Sequence, residues 1–167
     1  NAANSDLSGY AFSMNISGGV ITACSSSGDG FDSNGDLTIS GGTVTVWTAN
    51  AADNQPLDAD GAITVSGGTV LAAGGSAGMG MNLTAEQPCV TFGSTGGMGG
   101  GRPGDMDGGS ASIAKDAAVT ITGSAVYSGT ALCNASFVFF SSPELTADGS
   151  YTLTAGDTSL TATAQTG

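Results

Sequence analysis

One ten-residue pattern occurs three times in this chain: MNISGGVITA (Met14–Ala23), LTISGGTVTV (Leu37–Val46) and ITVSGGTVLA (Ile63–Ala72). The Gly-Gly pairs begin at Gly18, Gly41 and Gly67, so the units step by 23 and then 26 residues. Apolar and polar residues alternate around each pair with period 2, as in strands whose successive side chains face opposite ways. Each unit is therefore expected to be two short strands flanking a glycine bend. Parity puts Met14, Leu37 and Ile63 in one inward column and Ile16, Ile39 and Val65 in the next. Beyond the bend follow Ile21, Val44 and Val70, then Ala23, Val46 and Ala72, with Ser and Thr outward. Such a unit cannot bury its apolar face alone, but stacked on its likeness it builds a continuous core. Period 2 and the glycine pairs exclude a helical solenoid, and chemical equivalence one repeat apart favours parallel, in-register rungs over an antiparallel sandwich. The expected fold class is all-β: a right-handed parallel β-helix (solenoid) with a capping β region at the C-terminal end. A chain of this length supplies about six or seven rungs, each rising ~4.8 Å.

The 167 residues suit a single β-helix domain spanning 1–167. Beyond Gly74 the template weakens. Ala118–Ser128 fits it with Gly123-Ser124 in the bend and Val119, Ile121 and Val126 inward, and Ser136–Leu145 and Ser150–Gly156 read as strands joined by a turn at Asp148-Gly149. Phe137, Phe139 and Phe140 suit a closing rung that hides the end of the stack. A Gly-rich loop is expected at 93–109, with no strand-to-helix context for phosphate binding. Cys24, Cys89 and Cys133 are too scattered for a disulfide framework or a CxxC metal site. Their odd number leaves at least one thiol unpaired, and they read as small core-filling residues.

Charge narrows the function. There are 14 acidic residues, only Arg102 and Lys115 as cations, no histidine, and a net charge of -12. Nothing basic is available to neutralise phosphates, so nucleic acid is not an expected partner. Histidine-based triads and histidine-ligated metals are excluded, and no transmembrane segment is expected in the chain. Any cell-surface attachment would lie in an N-terminal segment missing from this sequence.

Six of the 14 acidic residues fall between Asp29 and Asp60. The repeat register puts Asp32 level with Asp58 and Asn34 level with Asp60, with Asp29, Asp36, Asp53 and Asn54 nearby. Like charges on adjacent rungs resist ionisation unless a cation intervenes. Calcium, which takes six to eight oxygen ligands from carboxylates, amides and carbonyls, is the cation this set fits. Asp-Asn-Gly clusters are also ordinary turn chemistry; repetition in register is what favours the metal.

Three stretches carry a resemblance: DGFDSNGDLTISGGTVTVW, PLDADGAITVSGGTVLAAG and SSPELTADGSYTLTAG, within Asp29–Gly156. The chain resembles the C-terminal part of the bacterial extracellular carbohydrate-binding family of clostridial type. The resemblance implies a right-handed parallel β-helix that binds calcium and plant cell-wall polysaccharide, including polygalacturonate and cellulose. It also implies Asp32, Asn34, Asp58 and Asp60 as calcium ligands, with Asp29 and Asp36 beside them. Gly9 and Ala11 stand where the first rung would need that pair, so the first rung should lack it.

The expected function is non-catalytic capture of plant-type polysaccharide, polygalacturonate/pectin or else cellulose, in an extracellular or cell-surface setting. Bound calcium would let an acidic protein hold an acidic polymer. Trp47, outward by parity, can stack on a sugar or cover the loop Thr48–Gln55, and with Asp53 and Asn54 it forms the candidate carbohydrate contact; Tyr10 and Tyr127 are lesser candidates. A pectate-lyase-like enzyme needs a cationic base that neither Arg102 nor Lys115 is aligned to supply. A calcium-stiffened structural or adhesive surface solenoid is the other alternative.

Overall fold

A computed structural model describes residues 10–50, 54–75, 83–93, 111–124 and 127–166. Among them the protein is all-β, with no helix. The strands are β1 (Ser13–Ser25), β2 (Phe31–Ser33), β3 (Asp36–Thr48), β4 (Leu57–Ala59), β5 (Ile63–Gly74), β6 (Leu83–Ala85), β7 (Cys89–Gly93), β8 (Ala118–Thr122), β9 (Tyr127–Thr130), β10 (Phe137–Ser141), β11 (Ser150–Ala155) and β12 (Thr158–Thr163). The main sheet runs β1-β3-β5-β10-β7, with β6 also on β5; β12-β11-β8-β9 form a second sheet and β2-β4 a third.

The three repeats are β1, β3 and β5, paired parallel in the register that the sequence implies. Met14 pairs Leu37 and Leu37 pairs Ile63; Ile21, Val44 and Val70 align likewise. Leu83–Ala85 extends two of these columns onto a further partial rung. Each repeat is one continuous strand rather than two, interrupted by a register shift at the glycine pair. The second glycine of each pair, Gly19, Gly42 and Gly68, has φ of 88°, 91° and 81°. These bends nest: a Cβ on Gly42 would lie 2.7 Å from the Gly19 carbonyl oxygen, and one on Gly68 2.6 Å from that of Gly42. Only glycine combines that φ with that closeness of approach.

The inward columns form one core cluster, with Leu37, Ile39, Val44, Val46, Ile63 and Val70 among its members. At β1 the burial is incomplete: Met14, Ile16 and Ala23 are half-buried, with β3 the one described strand paired to it.

Beyond β6 the pairing among the described residues is antiparallel, which corrects the expected continuation of parallel rungs. Strand β8 pairs β9 and β11, so Ala118–Thr122 belongs to an antiparallel sheet rather than a rung, although Val119 and Ile121 are buried as parity required. Val126 and most of the expected Gly-rich loop at 93–109 lie outside the described residues. Strand β10 does not close an end. It inserts antiparallel between β5 and β7. Phe137 and Phe139 join the stack's core, while Val138 and Phe140 join a second cluster on the opposite face. A strand covered on both faces has no polar side to show, and FVFF is the resulting unbroken apolar run. The second cluster packs the C-terminal strands against the outward face of the main sheet, where it takes in Trp47, Leu71 and Ala73.

Candidate functional site: the acidic edge of β2 and β4

Strands β2 and β4 pair parallel through Phe31 with Leu57, Asp32 with Asp58, and Ser33 with Ala59. Leu57 is buried in the stack's core with Phe31 packed beside it, so alternation turns Asp32 and Asp58 to the other face. The ladder continues past the strands: Asp60 N donates to Ser33 O at 2.9 Å and Gly61 N to Gly35 O at 3.0 Å, keeping Asn34 and Asp60 on neighbouring levels. Asp32, Asn34 and Asp60 are exposed, and Asp58 is half-buried.

The flanking residues stitch rung to rung. Asp29 Oδ1 accepts from Gln55 N at 2.7 Å, and Asn54 Oδ1 accepts from Gly28 N at 3.0 Å, a reciprocal clamp between two turns. Asp36 Oδ1 accepts from Ala62 N at 2.9 Å. In these three residues an oxygen caps a backbone donor, the ordinary turn role of Asp and Asn. Asn54 is buried in that role, and Asp53 lies outside the described residues.

Charge accumulates on the edge. The Asp58 carboxyl is pushed above its ordinary range by burial first, then by the carboxylates of Asp29 and Asp32, and less by Asp60; a hydrogen bond from the Ala59 backbone opposes them. Lys115 is the only basic side chain among the described residues, and it lies on the segment before β8. The donors at the edge are hard oxygens, the chemistry that calcium prefers. Among the described residues, however, no three Asp, Glu, His or Cys side chains converge into a group able to hold a metal ion. The edge offers carboxylates in register without a closed cage.

Trp47 requires a correction. It does face out of the rung, in register with Cys24 and Ala73, but it is 0% exposed beneath the C-terminal layer and has no surface to offer a sugar. Its Nε1 has no hydrogen-bond partner among the described residues. Tyr127 is half-buried, its ring 5.8 Å from that of Phe140. Tyr10 is exposed, beside Phe12. A cavity of about 420 Å³ that sequence gave no sign of is lined by residues including Asn50, Ser112, Asn134 and Ser136; none of its described lining residues is ionisable.

Fold and edge together define an all-β protein with a parallel repeat stack carrying acidic residues in register. No protein-family model, curated protein or solved structure matches the chain.

Proposed function

We propose that this chain is a non-catalytic carbohydrate-binding protein, a right-handed parallel β-helix acting outside the cell or at its surface, that captures acidic plant-type polysaccharide through calcium at the β2–β4 edge. The observation that carries the reading is the register pair Asp32–Asp58, with Asp29 and Asp60 adding to the field at Asp58. When bound, calcium supplies a hard centre that accepts oxygen from protein carboxylates and from a uronate alike. Asp32 and Asp58 would hold its protein side, with Asp60 and Asn34 on the turn that follows. Asp29 and Asp36 keep the rungs at fixed spacing through their bonds to Gln55 and Ala62. An edge without a closed cage leaves coordination positions for the polymer.

Burial of Trp47 removes the leading aromatic platform for a neutral glucan, which favours polygalacturonate over cellulose. Binding is favoured over elimination because Lys115, the one described cation, sits close enough to Cys133 to affect its thiol rather than at the acidic edge. The second reading, a calcium-stiffened surface solenoid, draws on the rung-to-rung bonds of Asp29, Asp36 and Asn54, which serve stability directly.

The test is retention on polygalacturonate and on cellulose, with calcium and with chelator, for the natural chain and for Asp58→Asn. Calcium-dependent retention on polygalacturonate is expected, with Asp58→Asn weakening calcium affinity about tenfold or more. Retention that ignores the chelator refutes the bridge. A folded protein that binds calcium but neither polymer moves the assignment to the solenoid reading.

A further inference from the structure

Cys133 lies in a core and Cys89 packs against one, as the sequence implies, but Cys24 does not. Cys24 is exposed on β1, and Cys133, 109 residues on, is buried in the segment before β10, yet their Sγ atoms lie 2.8 Å apart. Each thiol also reaches the main chain beside its partner: Cys24 Sγ is 3.6 Å from Leu132 O, and Cys133 Sγ is 3.6 Å from Ser25 O. The two backbones are locked locally, since Ala49 N donates to Ser25 O at 2.9 Å and Asn50 N to Asn134 O at 3.1 Å. A covalent S–S bond is about 2.05 Å, so closure asks the sulfurs to move by less than about 1 Å.

We propose that Cys24 and Cys133 are a dithiol that closes into an intramolecular disulfide when a small disulfide such as oxidised glutathione is present, fastening the C-terminal layer to the first strand of the stack. Exposed Cys24 reacts first: its thiolate attacks one sulfur of glutathione disulfide, forming a mixed disulfide and expelling one glutathione thiolate. Cys133 then loses its proton to solvent and attacks the Cys24 sulfur, forming the protein disulfide and expelling the second glutathione. Two protein thiols are oxidised and one glutathione disulfide is reduced to two thiols, so electrons and protons balance. The order follows from the environments. Burial, together with the hydrogen bond and charge of Cys24, pushes the Cys133 thiol up to about 11, and Lys115 opposes them. Capping Cys24 removes two of the three raising causes at the moment when Cys133 must ionise.

The position gives the bond a purpose. Cys24 lies in register with Trp47 and Ala73 on the outward face, and Cys133 belongs to the layer that covers that face. Among the described strands, β1 is otherwise joined to the main sheet through β3 alone. A cross-link spanning 109 residues constrains a long loop of the unfolded chain. Cys89 sits elsewhere, half-buried, its backbone exchanging hydrogen bonds of 2.9 and 2.8 Å with Gln165.

The full chain is equilibrated with oxidised glutathione, alkylated, denatured and digested with trypsin. Arg102 precedes Pro103, so cleavage falls after Lys115 and separates Cys24 and Cys89 from Cys133. The fragments are expected to stay joined until dithiothreitol is added, in the natural chain and in Cys89→Ser, and to separate in Cys24→Ser. The natural chain should lose about 2 Da and retain one alkylatable thiol. Its melting temperature should fall by roughly 5–15 °C on reduction. Fragments that separate without reductant, a link that disappears in Cys89→Ser, or glutathione adducts that never resolve would overturn the proposal. The digest of the natural chain decides even if Cys24→Ser does not fold.

Discussion

Trp47→Ala separates a core role from a sugar-stacking role. The side chain is 0% exposed and belongs to the buried cluster between the main sheet and the C-terminal layer, beside Ala73 in register. Truncating a buried Trp costs about 3–5 kcal/mol in transfer and cavity terms. Its register neighbours Cys24 and Ala73 are small and cannot swing into the void, which argues for the upper part of that range. Against this, the unpartnered Nε1 leaves with the ring, relieving about 1–3 kcal/mol of desolvation. The net expectation is a loss of about 2–4 kcal/mol, or roughly 4–16 °C in melting temperature for a chain of this size. Trp47→Phe keeps most of the packing and drops the orphan N–H, so it should stay within about 1 kcal/mol of the natural chain. Urea titrations followed by far-ultraviolet circular dichroism measure both, since removing the only tryptophan rules out tryptophan fluorescence. Polygalacturonate retention by the folded fraction of Trp47→Ala should be unchanged. A Trp47→Ala protein within about 0.5 kcal/mol of the natural one would mean that the outer face of the sheet is not covered, and the two-core architecture would fail.

Two further outcomes follow from the edge and from the glycine bends. In chelator, the raised Asp58 carboxyl means that the folded state holds its proton more tightly than the unfolded chain does. Its stabilising contribution is therefore fully present below its ordinary value of 3.8 and is lost as pH rises through the raised value, so metal-free protein should gain stability as pH falls from neutrality towards 3.8. Asp58→Asn should flatten that rise in pH-scanned melts, and an equal rise in the variant would assign the effect to general charge repulsion. Gly42→Ala must hold φ near 91° with its Cβ 2.7 Å from Gly19 O, whereas a Cβ on Gly18 meets nothing within 4 Å. Gly42→Ala should lower the melting temperature by roughly 4–12 °C and Gly18→Ala by little, an ordering that thermal denaturation checks.

The parallel stack was legible because its information is local and repeated. Once the glycine pairs are superposed, Leu37 over Ile63 and Asp32 over Asp58 follow from chain spacing alone, and the structure pairs both. The antiparallel half was not legible from that template, since the alternation of Val119 and Ile121 is the same whichever way the neighbouring strand runs. A different signal lay in the outward positions of the repeats. Thr22 and Cys24 on β1 become Thr45 and Trp47 on β3, then Leu71 and Ala73 on β5. Polar gives way to apolar along the stack, and the structure explains why: the covering layer packs over β3 and β5, leaving Cys24 exposed at its rim.

The same gradient bears on the candidate site. One face of the main sheet is occupied by the core of the stack, and after the glycine bend the other is covered by the C-terminal layer at Trp47, Leu71 and Ala73. The separate β2–β4 ladder is where carboxylates take the outward positions on successive rungs, with Asp32 exposed and Asp58 half-buried. Its Asp and Asn residues divide by what their oxygens do. Asp29, Asp36 and Asn54 accept backbone donors from the neighbouring rung and set the spacing. Asp32 and Asp58 stand level across that spacing, and the repulsion at Asp58 comes from Asp29 first and then from Asp32. Sequence could place all of them on one edge, but the division depends on which backbone N–H each side chain meets. Replacing a spacing residue should therefore lower stability with and without calcium, whereas replacing Asp58 should act chiefly through the metal.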